Sequence, residues 1–298
     1  MASSWSLMRF RSEQRRLRAA HVRLSATSAG PPANLLRLRN VPILSALRLE
    51  EALFRADSRS WLITNEWDDV SPGAEACCVN TLTGEVMPVE SASAIVLGIS
   101  GKAAELVDLD RARAARVPLC RRFSGGGTVI VDTNTIFVTF LVAEGALPAV
   151  APYPEPILRW TSAVYADAFE SCGVSGFATH ANDYCVGDRK FGGNAQSISG
   201  NRWLHHTSLL WDYSPARMAL LRMPAKRPEY RANRPHADFI RGLAAAGVPD
   251  RGSFVASLLG AAAARLDLTE VGLEETHAAM AAPHRKSTRS VDIDHIDR

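Results

Sequence analysis

The spacing of apolar residues changes several times along the chain, and each change marks an element. After the Gly-Pro-Pro break at Gly30 to Pro32, "VPILSALRLEEALFR" places Ile43, Leu44, Leu47, Leu49 and Leu53 largely at three- and four-residue steps, the period of an amphipathic helix. "WLITN" (Trp61 to Asn65) and "AIVLG" (Ala94 to Gly98) are short apolar runs, the pattern of buried strands, and "KAAELVDLDRARAA" reads as a helix. The β-branched and aromatic runs "TVIVD" and "TIFVTFLV", joined by a short Asp-Thr-Asn turn, predict a hairpin. "EPILRWTSAVYADAFESCG" has helical period, with Pro156 near its start and Gly173 at its end. Two strand-like segments follow, "NDYCVGDRKFGGNAQSI" and "RWLHHTSLLWDY", linked by Ser199–Gly200–Asn201; two further helices are expected around "PHADFIRGLAAAG" and "RGSFVASLLGAAAARL". From about Val271 the chain is polar and weakly patterned, so partial disorder is expected. Strands clustered in the middle, with helices between and after them, predict an α+β fold: a mixed, mostly antiparallel central sheet covered by helices. The expected division is a leading segment 1–38, a domain 39–268 and a polar tail 269–298.

Charge changes the picture at one end only. The first 40 residues hold eight arginines against Glu13 alone, which leaves the rest of the chain with 26 of the 34 basic and 30 of the 31 acidic side chains. No basic stripe remains to support nucleic-acid binding. The first segment is rich in Arg, Ser and Ala with Leu7, Met8, Phe10, Leu17, Val22 and Leu24 interspersed, the composition of an organelle transit peptide. Mitochondrial targeting is the simplest reading, with a plastid as the alternative destination and a disordered basic arm also open. No secretory apolar core or ~20-residue apolar span is present, so membrane insertion is not expected. Cys77, Cys78, Cys120, Cys172 and Cys185 form no C-x-x-C pair, a spacing that predicts neither a disulfide framework nor a zinc site.

The candidate chemistry sits in three stretches. "RRFSGGGTVIVD" sets Arg122 and Ser124 before Gly125, Gly126 and Gly127, and three glycines in a row need a reason, because bare backbone is entropically costly to order. They form either a loop pressed against an anion or a plain hairpin turn. "NDYCVGDRKFGGNAQ" combines Asn182, Asp183 and Lys190 with a second glycine pair, where a lysine and backbone N–H groups can meet one phosphate. "HHTSLL" sets His206 and Ser208 at the head of an apolar strand, suited to a pocket wall. Taken singly, Asp183 is equally a turn residue, Lys190 a solvated strand lysine and His206 a satisfied core histidine. Familiar motifs fail on spacing: Ser100–Gly101–Lys102 has Val96 where a P-loop needs its first Gly, Ser124 has Arg122 where a nucleophile elbow needs Gly, and His205–His206 lacks metal-ligand spacing.

Together and in this order, the three stretches resemble the catalytic domain of the lipoate–protein ligase A family, related in fold to the biotin–protein ligases. The resemblance runs from about Leu47, through "LRLEEALF" and "AIVLGIS", to about Leu221. It implies that Arg122, Ser124 and Gly125 to Gly127 surround an acyl-adenylate, that Lys190 is the catalytic lysine at the phosphate and acyl carbonyl, and that Asn182 and Asp183 lie near the phosphate, with Asp183 facing Mg²⁺. Gly193, Asn194 and Ala195 match the turn after the lysine, although Asn194 stands where the family commonly has Ser, and His206 and Ser208 match the strand lining the site.

The implied reaction has two steps. Lipoate attacks the α-phosphate of ATP to give lipoyl-AMP and pyrophosphate. A carrier lysine then attacks the activated carbonyl, giving an amide and AMP. The implied partners are apo-lipoyl domains of 2-oxoacid dehydrogenase complexes or the glycine-cleavage H protein. The resemblance does not name the general base for the lysine; Asp183 is the one weak candidate. Bacterial members commonly carry a C-terminal accessory domain, and the roughly 75 residues after Leu221 predict that it is absent or reduced here. The rival readings are a transferase accepting a preactivated lipoyl or octanoyl group, an octanoyltransferase using Cys185 as nucleophile, and a module that only binds lipoyl proteins.

Overall fold

The apolar stripe around Leu47 forms a helix, α1 (Ile43–Ala56), in the computed structural model, which describes residues 30–68, 76–224 and 228–296 and the backbone of 22–23. Arg55 in its last turn complements the negative helix end. Before it comes β2 (Pro32–Arg39), whose alternation sends Ala33 and Leu35 into the core on one side of the sheet and Leu36 and Leu38 into the core on the other. The expected boundary at residue 38 is therefore corrected: "NLLRLR" is a strand of the main sheet, buried on both faces, and not part of a leader. The rest of the leading segment lies outside the described residues, apart from a two-residue strand, β1 (Val22–Arg23).

The main sheet runs in the order β1–β14–β2–β3–β9–β13–β12–β11–β10, with β3 (Trp61–Glu66), β9 (Thr135–Val142), β10 (Phe177–His180), β11 (Asp183–Val186), β12 (Arg189–Ser199), β13 (Arg202–Leu210) and β14 (Asp267–Glu270). β2 lies parallel to β3 and β14, and the other pairs are antiparallel, the mixed sheet expected. Helices α2 (Pro154–Ser171) and α3 (Arg251–Ala263) cover one face through Tyr165, Phe169, Phe254 and Leu258, packed on Phe140, Trp203 and Phe191. Burying each such side chain contributes roughly 1.5–3 kcal/mol. On the other face, Leu49 and Leu53 of α1 meet Ile63, Leu141 and Leu204.

A smaller sheet packs against that second face, beside α1. β7 (Leu119–Arg121) lies parallel to β6 (Ala94–Leu97), and β8 (Val129–Val131) antiparallel to it. Ile43 and Leu47 of α1 close on Val96, Cys120 and Val131. Two expectations fail here. "TVIVD" and "TIFVTFLV" are not a hairpin: β8 and β9 belong to different sheets, and Thr135 N donates to Asp132 O at 3.0 Å in a tight turn that crosses between them. "KAAELVDLDRARAA" is two short helices, Ala103–Leu106 and Leu109–Ala114, because Asp108 accepts from Arg111 N and caps a new start.

The tail is also corrected, since it folds back onto the domain. β15 (Arg289–Val291) adds to the outer edge of β7, and the buried Glu51 of α1 accepts from the backbone N–H groups of Ser287 and Thr288 at 2.8–3.0 Å. Burial alone would raise the Glu51 carboxyl, but those bonds together with Arg55 bring it below its ordinary value. Segment polarity misled because the anchor is a single carboxylate more than 230 residues away in sequence.

Candidate active site

A cavity of about 500 Å³ opens between α1, the small sheet and the β11–β12–β13 end of the main sheet. Its lining divides by chemistry. Ile43 and Leu47 of α1 cluster with Val96, Val129 and Phe137 as one apolar part of the wall, while Asn182, Asp183, Lys190, Arg222, Arg231 and His236 supply its polar and charged groups. Gly126, Gly127, Gly193, Asn194, Ala195, His206 and Ser208 also line it.

Lys190 owes its direction to a register shift. Asp183 pairs with Gly193 and Tyr184 with Gly192, but Cys185 pairs with Lys190, so Phe191 is the extra residue of a β-bulge. In a regular strand Lys190 would point away from Gly193; the bulge turns both to the cavity while Phe191 enters the core on the far side. Lys190 Nζ stands 2.6 Å from Asp183 Oδ1, and Tyr230 OH donates to Asp183 Oδ2 at 2.7 Å. Both carboxylate oxygens thus have donors.

The glycine loop is not a hairpin turn. β7 and β8 lie on opposite sides of β6, so residues 122–128 cross over between non-adjacent strands. The two arginines before it hold backbone. Arg121 Nη1 donates to Gly98, Ile99 and Gly101 carbonyls at 2.7–3.1 Å. Arg122 Nη2 donates to Gly125 O at 2.5 Å and Gly127 O at 2.8 Å, and its Nε to Ser124 Oγ at 3.0 Å. Arg122 is 4 % exposed, and burial pushes its guanidinium down to about 10, which leaves it charged at neutral pH. Nε and Nη2 thus brace the loop, and the side chain also lines the cavity. Gly126 has φ of +88°, and its carbonyl lies so close to Gly98 that a Cβ on Gly98 would stand 2.3 Å from it.

Behind the loop runs a buried hydrogen-bonded chain. His206 Nδ1 donates to Glu50 Oε2 at 2.8 Å, since a carboxylate only accepts, and Nε2 pairs with the Ser124 hydroxyl at 2.8 Å. Thr139 Oγ1 donates to Glu50 Oε1 at 2.8 Å. Ser124 is therefore a buried link between Arg122 and His206. Asn194 Nδ2 donates to Asn182 O at 2.5 Å, which ties the turn before β11 to β12, and Ser208 Oγ donates to Gly193 O at 3.3 Å. His205 faces the opposite layer among Thr161, Tyr184 and Gln196; burial first, then the nearby His206, push it down to about 3, a neutral core histidine.

Glu50, Tyr230, Arg222, Arg231 and His236 join the predicted set. Glu50 had a signal, since it falls three residues after Leu47 on the buried stripe of α1, where a carboxylate needs a partner. The other four belong to the irregular segment after β13. The short helix His236–Phe239 sits beside β12, where Arg241 N donates to Lys190 O at 2.8 Å, and Tyr230 packs on Phe239 at 5.3 Å between ring centroids. Cys185 is fully buried, burial raises its thiol, and its Sγ lies 3.6 Å from Tyr230 OH. A thiol so placed is a poor nucleophile, which weakens the cysteine-based rival.

The profile of the lipoyl protein ligase A/B catalytic domain matches residues 44–244, and the chain belongs to that family. It is 26% identical over 233 residues to the inactive lipoate–protein ligase 2 of Plasmodium falciparum, covering 67% of this chain and 60% of that one. The chain spans about half to three-fifths of the length of the curated relatives it matches. Among solved structures, a lipoate-protein ligase A bound with ATP superposes with a TM-score of 0.62 at 16% identity over 85% of this chain and 92% of the other. A bipartite lipoate protein ligase of Thermoplasma acidophilum, solved in a study of that ligase and its E2 lipoyl domain, gives 0.63 at 16% identity over 85% and 91%. At these identities the likeness establishes the shared fold.

Proposed function

We propose that the protein is an ATP-dependent lipoate–protein ligase that activates lipoate as lipoyl-AMP and transfers it to a lysine of an apo-lipoyl domain. The observation that carries this reading is one cavity whose lining combines the apolar cluster of Ile43, Leu47, Val96, Val129 and Phe137 with the cations Lys190, Arg222 and Arg231 and with Gly126 and Gly127. The apolar cluster suits the acyl chain. Lys190, Arg222 and Arg231 suit the phosphates and the charge that develops on the acyl oxygen. The only carboxylate among the described lining residues is Asp183, and the described residues contain no group of three or more His, Cys, Asp or Glu side chains able to hold a metal. That donor set fits a magnesium ion carried in on phosphate oxygens, with Asp183 as its protein ligand, better than an ion held by protein alone. Bound there, Mg²⁺ would offset phosphate charge. Asp183 would give up its contact with Lys190, and Tyr230 would keep it in place.

The test is mass spectrometry of an apo-lipoyl domain after incubation with ATP and either lipoate or octanoate, with pyrophosphate release measured before carrier is added. Pyrophosphate and a lipoyl adduct are expected. The name of the Plasmodium relative, an inactive ligase, favours a second reading in which the protein transfers a preactivated acyl group without adenylating it. Carrier modification from synthetic lipoyl-AMP, with no pyrophosphate from ATP and lipoate, would establish that reading instead.

We propose also that the arginine-rich first segment directs import into mitochondria. Residues 1–40 fused to a fluorescent reporter should carry it there; a reporter that stays cytosolic favours a basic arm, and one found in plastids the alternative destination.

A further inference from the structure

We propose that His236 is the general base that takes a proton from the incoming carrier lysine. The inference rests on the acyl-transfer reading above and names the acid–base group that reading needs.

A lysine ammonium with a reference pKa of about 10.4 must lose a proton before its nitrogen can attack. The described cavity lining offers few groups to accept it. Asp183 has Lys190 on one oxygen at 2.6 Å and Tyr230 on the other at 2.7 Å. His206 has Glu50 and Ser124 on its two ring nitrogens at 2.8 Å each. Lys190, Arg122, Arg222 and Arg231 are cations. His236 remains: it lines the cavity, is half-buried, and its imidazole makes no side-chain hydrogen bond to the described residues. The short helix that bears it is fixed to the catalytic strand by the Arg241 N to Lys190 O bond, and Ile240 bridges Lys190.

The charges that bear on His236 are Arg231, on the segment before it, and Lys190 on β12; Asp183 and Arg222 line the same cavity. Burial first, then Arg231 and Lys190, hold the imidazole below its ordinary value, so it is unprotonated at neutral pH. A phosphate bound at those cations would offset them and restore the imidazole's basicity while the adenylate is present. In the transfer step one ammonium proton passes to the imidazole and the amine attacks the acyl carbon. The carbon–oxygen bond to phosphate breaks, its electron pair leaves with AMP, and the second nitrogen proton passes to solvent.

The test uses the full chain with synthetic lipoyl-AMP and an apo-lipoyl domain. His236→Gln should lower transfer about 100-fold at pH 7, within the range for loss of a general base, while pyrophosphate release from ATP and lipoate falls no more than about threefold. Wild-type transfer should fall as pH drops through the pKa the imidazole has in the adenylate complex. The variant should lose that limb and keep rising into alkaline pH, and His236→Gly should regain rate with added imidazole. Equal losses in both half-reactions would mark His236 as a phosphate ligand and overturn the proposal, as would an unchanged pH profile. A wild-type protein that transfers nothing from lipoyl-AMP would remove the acyl-transfer reading and this inference with it, whereas transfer that proceeds equally well in His236→Gln removes this inference alone.

Discussion

Lys190→Ala should abolish carrier modification, with a loss of at least 10²–10³-fold, the range seen when one preorganised donor to a developing negative charge is removed. The bulge at Phe191 turns this side chain into the cavity, and its ion-pair partner among the described residues is Asp183. Its backbone carbonyl accepts from Arg241 N whatever the side chain, so β12 and the His236 helix keep their junction. The fold should survive. Removing Nζ leaves Asp183 half-buried with the Tyr230 hydrogen bond still made, and a change of about 1 kcal/mol would lower Tm by only about 2–4 °C in a domain of this size. Lys190→Arg separates charge from shape: the guanidinium keeps the charge but not the compact ammonium geometry, so activity should be only partly restored. Modification at near wild-type rate in purified, folded Lys190→Ala would remove Lys190 from the chemistry and leave the Asp183 pair as a structural contact.

The same lysine shows where sequence reading succeeds and where it stops. The three stretches bearing Arg122, Lys190 and His206 are legible because each concentrates unusual residue types within a dozen positions, and the two sheets bring all three to one cavity. The direction of Lys190 is not legible, since alternation alone would point it away from Gly193, and only the strand register reveals the bulge. Arg122 reads in sequence as an anion clamp and does line the cavity, but its bracing of Gly125 and Gly127 is not legible, because it depends on where carbonyls point. Glu50 was half-legible on its apolar stripe. Tyr230 was not, because an irregular segment has no period and its residues are fixed only by contacts with β11 and β12; His236 falls in a stretch read as a longer helix, of which only His236–Phe239 forms. Glu51 and the tail fail for the same reason, as the contact is long in sequence and single.

Substitutions along the glycine loop should separate the glycines the fold needs from those a ligand needs. At Gly126 the backbone has φ of +88°, and an added Cβ would stand 2.8 Å from Arg122 Nη2 and 3.0 Å from the Ala195 Cβ. Gly126→Ala is thus expected to destabilise by about 1–3 kcal/mol through left-handed backbone and contact with a braced guanidinium, and to weaken ligand binding as the loop shifts. Gly127 differs. A Cβ there meets no protein atom within 4 Å, yet the residue lines the cavity. Gly127→Ala should stay within about 0.5 kcal/mol of the wild type in stability. If a phosphate runs along this loop, however, the new methyl group occupies its path and holds it off the backbone N–H groups, and binding of a non-hydrolysable lipoyl-AMP analogue should weaken at least tenfold, about 1.4 kcal/mol. Gly125 also has no atom within 4 Å of an added Cβ, but its carbonyl is turned to Arg122, so its effect on binding should be smaller than that of Gly127. Thermal melting paired with calorimetric titration of each variant reads both quantities. Losses of stability at Gly126 with affinity intact at Gly127 would make the loop a scaffold for the strand crossover, and the phosphate would then have to be sought at Lys190, Arg222 and Arg231 alone.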